Sequence, residues 1–184
     1  SVLGHMLIVA ILAYLCSIDI AACDQRACNN YLAGLFHDLP EVLTRDIISP
    51  VKSSVEGLDK LIKDMEGKLL EANLFPLLPV AWHDQMRYYL ENEFDNKIML
   101  DGQVKRRIKA REISKLYNKD EFFAVDGELI KGCDHLAAYI EAALSIRCGI
   151  TSRHLQEGAR SLAQKYENKK IAGVDFGLLF SYFS

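Results

Sequence analysis

Residues that break regular structure are scarce in this sequence, which has four prolines and eleven glycines in 184 positions. Together with an apolar fraction of one half, this scarcity excludes a fibrous or disordered chain. A formal net charge of −3 also excludes an overall basic field that would attract nucleic acid or anionic lipid. We therefore expect one globular domain with a sizeable core, in which local cations or a metal would have to hold any phosphorylated ligand.

Paired cysteines are lacking as well. The cysteines number five, and no two of them form a CxxC pair, so neither a disulfide framework nor a zinc ribbon is indicated. We expect reduced, buried thiols in a cytoplasmic protein. The residues concerned are Cys16, Cys23, Cys28, Cys133 and Cys148.

A clear membrane span is also missing, although residues 6–22 form a long apolar run. Asp19 interrupts the run, which is shorter than the roughly 20 residues that a span needs. The run also lacks the basic segment that precedes the apolar part of a signal peptide. We interpret it as a core helix and expect no membrane partner.

Helical spacing of apolar residues dominates the chain, and strand alternation is nearly absent, which predicts an all-α, compact multi-helix bundle. Asp24 is a candidate helix cap, Pro40 should stop that helix at or just after Asp38, and Ser53 with Glu56 makes a capping-box pattern. The apolar C-terminal tail either packs on the core or completes a dimer interface. Helices are predicted at about residues 2–17, 24–38, 53–72, 80–94, 103–117, 127–148 and 152–166.

The strongest chemical signal is His37-Asp38, at the predicted end of a buried helix. Neighbouring side chains can meet one ion only where the helix backbone opens, and the stop before Pro40 provides such an end. Imidazole nitrogen and carboxylate oxygen suit Mn, Co, Fe or Zn, and carboxylates with water admit Mg. A second dipeptide of this kind, His83-Asp84, shows that the pattern alone is weak evidence.

His5 and Asp134 each place an ionisable group on an apolar helix. A buried imidazole needs a partner, which is either a metal or a backbone carbonyl. The carboxylate of Asp134 has apolar helical neighbours, so it is either metal-bound or paired with Lys131 or Arg147. His5 and Asp134 are therefore candidate metal ligands, and a purely structural role stays open for each.

Two other groups of polar residues have weaker functional interpretations. Trp82, His83 and Asp84 either line a pocket rim or belong to an ordinary amphipathic helix. The basic residues between positions 105 and 111 are followed closely by acids, which favours a solvated helix face over nucleic-acid binding. His135 and His154 have no second ligand at useful spacing, so we expect both to be structural.

Three segments carry a family resemblance. "HDLPEVLTRDIISPVK", "GHMLIVAILAYL" and "IKGCDHLAAYIEA" resemble the HD-domain metal-dependent phosphohydrolases, and most of all their bacterial 5′-deoxynucleotidase-like branch. The resemblance covers about residues 1–52 and 128–145. It implies a single HD-type phosphohydrolase domain over residues 1–184, from which an N-terminal helix could be missing, and a homodimer.

The resemblance also implies roles for individual residues. The metal ligands would be His5, His37, Asp38 and Asp134. Glu41 would lie beside the metal-bound water as base or orienter, and Asp46 near the leaving-group oxygen or the attacking water. Thr44, Arg45 and Lys52 would contact phosphate or sugar, although Arg45 departs from the small residue expected there.

The implied activity is a phosphomonoesterase acting on a small phosphorylated molecule, most plausibly a nucleoside 5′-monophosphate, with a divalent metal as cofactor. Three alternatives stay open. The chain could be an HD phosphodiesterase or nucleoside-triphosphate hydrolase, or a non-catalytic metal- or nucleotide-binding regulatory module. It could also be a structural bundle in which His37-Asp38 is fortuitous.

Overall fold

Helices account for most of the described chain, in agreement with the predicted all-α class. The computed structural model describes residues 1–44 and 57–183. The helices are α1 (Val2–Asp19), α2 (Asp24–Phe36), α3 (Glu41–Thr44), α4 (Leu58–Leu69), α5 (His83–Leu90), α6 (Ala110–Leu116), α7 (Gly127–Arg147), α8 (Arg153–Tyr166) and α9 (Phe176–Tyr182).

Four short strands form two antiparallel pairs: β1 (Lys97–Leu100) with β2 (Gln103–Arg106), and β3 (Lys170–Ile171) with β4 (Val174–Asp175). The prediction of a helix over residues 103–117 is therefore wrong in its first half. Asp101 and Gly102 have φ values of 51° and 72°, and positive φ at both positions is the two-residue turn of a tight hairpin. The turn pairs the basic segment with β1, and α6 begins only at Ala110.

Several predicted helix boundaries shift by a few residues. Cys23, and not Asp24, occupies the N-cap of α2, and the helix ends at Phe36, so that His37 and Asp38 lie in the turn before Pro40. The helix predicted to run to residue 94 ends at Leu90. Ser152 caps α8, accepting a hydrogen bond from the backbone N–H of Leu155 at 3.5 Å. The Ser53–Glu56 capping box lies outside the described residues.

The core forms where α1 packs against α2 and α7. Gly34 on α2 lets the two first helices approach closely, since a Cβ there would lie 3.1 Å from the Cα of Ala10. Any larger side chain at this position would push α1 away from α2. Buried residues such as Val9, Ala33 and Leu129 fill the junction of the three helices.

The apolar tail packs on this core, which is one of its two predicted arrangements. Phe176 and Phe180 of α9 are buried, and the Phe180 ring stacks on Tyr166 with 4.7 Å between ring centroids. Tyr139 of α7 also contacts the Phe180 ring. The tail thus ties the last helix to α7 and α8.

One face of α1 is buried and the other is apolar but exposed. Met6, Val9 and Ala13 face the core, whereas Leu3 is 65% exposed and Leu15 57%. By length and composition alone α1 could cross a membrane, and 33% of it is buried inside the fold. The expectation of a core helix therefore describes only one side of α1.

The thiols are free, but they are not all buried as we expected. Cys16 and Cys133 are buried, with their Sγ atoms 4.0 Å apart, and Cys28 and Cys148 are exposed.

A buried ion pair joins α2 to the start of α7. The Nε and Nη2 atoms of Arg26 donate to the two carboxylate oxygens of Asp126 at 2.7 and 2.8 Å, and both side chains are fully buried. Asn30 donates to the same carboxylate at 2.8 Å and accepts from the Asp126 backbone N–H. Such a pair is tolerated inside a protein only because these bonds replace lost hydration.

The buried pair generates a stability prediction. Asp126→Ala leaves the Arg26 guanidinium buried without its counter-charge, so we expect the free energy of unfolding to fall by about 3–5 kcal/mol. Urea unfolding followed by circular dichroism measures this change. Arg153→Ala, which removes the exposed Arg153–Glu157 pair, is the matched control and should change stability little. Equal losses of unfolding free energy in Asp126→Ala and Arg153→Ala would contradict the stabilising role of the buried ion pair.

Candidate metal centre

Three elements bring the candidate ligands together. His5 lies on α1, His37 follows α2 and Asp134 lies in the middle of α7. One potential ligand atom from each of these residues lies within 4.8 Å of those of the other two. The cluster therefore depends on the same helix packing that forms the core.

The separations within the cluster are short. His5 Nε2 lies 3.0 Å from Asp134 Oδ1, and His37 Nε2 lies 3.9 Å from the same oxygen. The neighbouring carboxylate of Asp38 places Oδ2 3.2 Å from His37 Nε2. Two imidazole nitrogens and the carboxylate of Asp134 thus surround one small volume, and the carboxylate of Asp38 borders it beside His37. This is a mixed N/O donor set that divalent transition metals accept.

His37 is the most constrained member of the cluster. Its side chain is fully buried, and its Nδ1–H donates to the backbone carbonyl of Gly34 at 2.8 Å. Because a carbonyl can only accept, the neutral ring carries its lone pair on Nε2. Nε2 is buried and forms no hydrogen bond with any described residue, and the nearest carboxylate oxygen, from Asp38, lies at ion-pair distance. A buried nitrogen of this kind fits a metal ligand.

His5 is oriented in the same way by Glu141, two turns after Asp134 on α7. Glu141 Oε1 lies 3.2 Å from His5 Nδ1, so a proton on Nδ1 leaves Nε2 to face Asp134. A carboxylate behind a ligating histidine fixes its tautomer and raises its basicity.

The carboxylates of the cluster raise the pKa values of both histidines. The hydrogen bond with Asp134 raises the pKa of His5 to about 9, and the charges of Asp134 and Glu141 add to this effect. Burial disfavours protonation of His37, yet Asp38, Asp134 and the Gly34 carbonyl outweigh it and raise its pKa. The site attracts cations strongly, and a bound metal would compete with these protons.

Two cavities meet at the cluster. One, of about 720 Å³, is lined by His5, Asp134 and Phe94, and the other, of about 420 Å³, by His37 and residues of α4. Both cavities are walled by Asp38, Glu41 and Glu93. Carboxylates lining these walls would repel a phosphate, so a phosphorylated ligand could enter only with a cation.

The structure thus clusters three of the four predicted ligands, His5, His37 and Asp134, and places the fourth, Asp38, beside His37. Glu41 lies in the wall of both cavities. Asp46, Arg45 and Lys52 lie outside the described residues, as does the side chain of Thr44. Their predicted contacts with substrate stay predictions.

The second histidine-aspartate dipeptide lies elsewhere. His83 Nε2 contacts the carbonyl oxygen of Leu78 at 3.2 Å, and its ring packs edge-on against Phe75. Asp84 is fully exposed. His83 thus has the structural environment of a core histidine, and the dipeptide borders neither cavity at the cluster.

Sequence reasoning missed three residues that line these cavities: Glu93, Glu141 and His135. Glu141 carried a usable signal, because seven residues make two helical turns and place it on the same face as Asp134. Glu93 follows the end of α5 and has no periodic signal. His135, expected to be structural, lines the larger cavity while its Nδ1 lies 2.6 Å from the hydroxyl of Tyr166.

Comparisons with known proteins agree with this geometry. The family model described as HD domain matches residues 1–163. A curated 5′-deoxynucleotidase of Vibrio atlanticus (strain LGP32) is 24% identical over 147 residues, which are 80% of this chain. The chain spans about 60% of the length of that relative. No solved structure matches the chain at a significant level.

The contact between Glu141 and His5 generates a prediction about metal affinity. Glu141→Gln weakens the acceptor behind His5 Nδ1, so we expect the affinity for Zn²⁺ or Mn²⁺ to fall about tenfold. Isothermal titration calorimetry measures the affinity, and the zinc-loaded protein reports the His5 tautomer by ¹⁵N NMR.

Glu157→Gln, an exposed glutamate on α8, is the matched control and should leave the affinity unchanged. Unaltered metal affinity and an unaltered His5 tautomer in Glu141→Gln would show that Glu141 does not position this ligand.

Proposed function

Because the chain belongs to the HD-domain family, we propose that it is a metal-dependent phosphohydrolase that acts as a phosphomonoesterase on nucleoside 5′-monophosphates. The observation that carries this proposal is the buried Nε2 of His37, which faces Asp38 and Asp134 without a hydrogen-bond partner among the described residues. The similarity to a 5′-deoxynucleotidase supports the choice of substrate.

The residues that would hold the metal are His5, His37, Asp38 and Asp134. A divalent ion held there would lower the pKa of a coordinated water and neutralise charge on the phosphate. Mn, Co, Fe, Zn and Mg are all compatible with two nitrogens and two carboxylates completed by water.

Glu41 is the proposed general base, or the group that orients the attacking water. It belongs to the cavity wall three residues after Asp38, and it sits on α3 immediately after the turn that carries the ligands. The family resemblance supports Asp46 as a second proton-transfer residue and Thr44, Arg45 and Lys52 as contacts to phosphate or sugar.

Charge in the cavity supports a requirement for metal. Asp134 and Glu141 on α7 face Asp38, Glu41 and Glu93 across the larger cavity. Lys63, the cation nearest to Glu93 in the smaller cavity, is engaged with that carboxylate at 3.3 Å. A phosphate dianion therefore depends on bound metal for its attraction to these walls.

The activity itself is directly testable. Purified protein with added Mn²⁺, Co²⁺ or Mg²⁺ should release inorganic phosphate from a panel of nucleoside 5′-monophosphates. His37→Ala should lower kcat/KM by at least about a thousandfold, because it removes a buried ligand. His83→Ala, which alters the other histidine-aspartate dipeptide, is the matched control and should retain activity.

The outcomes separate the competing functions. Hydrolysis of phosphodiesters or nucleoside triphosphates in place of monophosphates would identify the other hydrolytic activities. Tight nucleotide binding without phosphate release would identify a regulatory module. Phosphate release that His37→Ala leaves undiminished, or protein that binds no metal by elemental analysis, would exclude the proposed mechanism.

We also propose that the chain forms a homodimer through the exposed face of α1. Leu3, Leu7, Ile11, Leu15 and Ile18 recur at helical spacing and leave a continuous apolar stripe in contact with solvent. A second copy can cover this stripe with its own identical stripe, as the subunits of two-fold dimers do.

Sedimentation equilibrium should give twice the 20.8 kDa chain mass, and Ile11→Glu should lower the measured mass to that of the monomer. A monomer at every concentration would contradict this proposal.

A further inference from the structure

A third cavity, of about 510 Å³, lies beside the larger metal cavity and carries the opposite charge, and we call it the lysine cavity. Lys131 of α7 and Lys165 of α8 line it, together with Lys169, which precedes β3, and Lys170, the first residue of β3. Among the described residues of its wall, only Glu128 carries a carboxylate. We call Lys131, Lys165 and Lys169 the lysine cluster.

The lysine cluster is not neutralised by ion pairs, although Glu128 lines the same cavity and the charge of Asp134 acts on Lys165. Lys170 is engaged with Asp175 at 3.3 Å, but no member of the cluster forms an ion pair with another residue in the part of the chain that the structure describes. Lys169 Nζ lies 5.0 Å from the centroid of the Tyr166 ring, and Lys131 Nζ lies 5.4 Å from that of Phe94. Aromatic faces position these ammonium groups without neutralising them.

The members of the cluster are close enough to repel one another. Burial lowers the pKa of Lys165, and the positive charges of Lys131 and Lys169 lower it further. All three side chains are exposed, so solvent screens part of this repulsion, and a bound anion would relieve the rest.

The lysine cavity shares a wall with the metal centre. His135 lines the larger metal cavity, and its Nδ1 lies 2.6 Å from the hydroxyl of Tyr166, which lines the lysine cavity. The ammonium group of Lys131 lies over the ring of Phe94, which lines the larger metal cavity. A ligand that reaches past Phe94 and His135 would extend from the metal toward the lysines.

We propose that the lysine cluster is an anion subsite that binds a second phosphate group of the substrate, beyond the phosphate that is hydrolysed at the metal. This inference rests on the proposed phosphohydrolase function for the first phosphate. Free inorganic phosphate has the same chemistry as a second phosphate group, so the experiment must distinguish the two sources.

The first measurement does not depend on catalysis. Inorganic phosphate is titrated calorimetrically into the full chain carrying Asp38→Ala, in which the metal centre is incomplete. We expect binding to persist there and to weaken at least about tenfold when Lys165→Gln and Lys169→Gln are added, because two charged contacts are lost. Lys115→Gln, an exposed lysine on α6, is the matched control and should leave the binding unchanged.

The second measurement identifies the source of the anion. On the metal-loaded enzyme, KM is compared between a nucleoside 5′-monophosphate and compounds with two phosphates, the 5′-diphosphate and the 3′,5′-bisphosphate. We expect at least one two-phosphate compound to have a lower KM than the monophosphate. In the Lys165→Gln/Lys169→Gln chain, the KM of the monophosphate divided by the KM of that compound should fall about tenfold. Lys115→Gln should preserve the ratio.

Three outcomes would overturn the inference. The Asp38→Ala chain could bind no phosphate, or the lysine substitutions could leave its phosphate binding unchanged. If phosphate binds the lysines but no two-phosphate compound gains from them, the anion is a separate phosphate and not part of the substrate. Phosphate binding that depends on the lysines, in a chain with no hydrolytic activity, would reject the proposed function and retain the anion subsite.

Discussion

The close approach of α1 to α2 is the contact on which both the fold and the metal centre depend. Gly34 has no side chain, so the backbone of α2 lies against Ala10, and α1 can also pack on α7. The same glycine offers its carbonyl oxygen to His37 Nδ1 and thereby turns Nε2 toward the centre. His5 reaches that centre because it lies on α1 near the contact. One position without a side chain therefore sets the helix spacing and the orientation of a ligand.

α7 contributes side chains to two adjoining regions of opposite charge. Asp134 and Glu141 face the metal cavity, and Lys131 borders the lysine cavity. His135 connects the two regions through its contact with Tyr166, and Tyr166 is in turn held by the stacked ring of Phe180. The C-terminal helix, remote in sequence from every proposed metal ligand, thus supports the wall between them. Packing and electrostatics are coupled in this part of the molecule, because the aromatic side chains that fill the core also position the charged groups.

The sequence predicted local features better than features that depend on distant contacts. α7 was predicted to within one residue, since its apolar spacing is regular. The β1–β2 hairpin was missed, although Asp101-Gly102 is a strong turn signal, because the residues after it also fit a basic amphipathic helix. Four ligands were predicted through the family resemblance, but the lysine cluster was not, because Lys131 and Lys165 lie on different helices. Their proximity is a property of helix packing that no local pattern encodes.

The contact between His5 and Asp134 joins residues 129 positions apart in the chain. Closing so long a loop is among the slower steps of folding, because its entropy must be lost before the contact forms. An ion that binds all of these ligands can therefore be captured only by a chain whose first helix has already docked. Once bound, the ion would hold α1 and α7 together, because the two helices cannot separate without releasing it. The rate of metal dissociation should then follow the rate at which α1 detaches from the bundle.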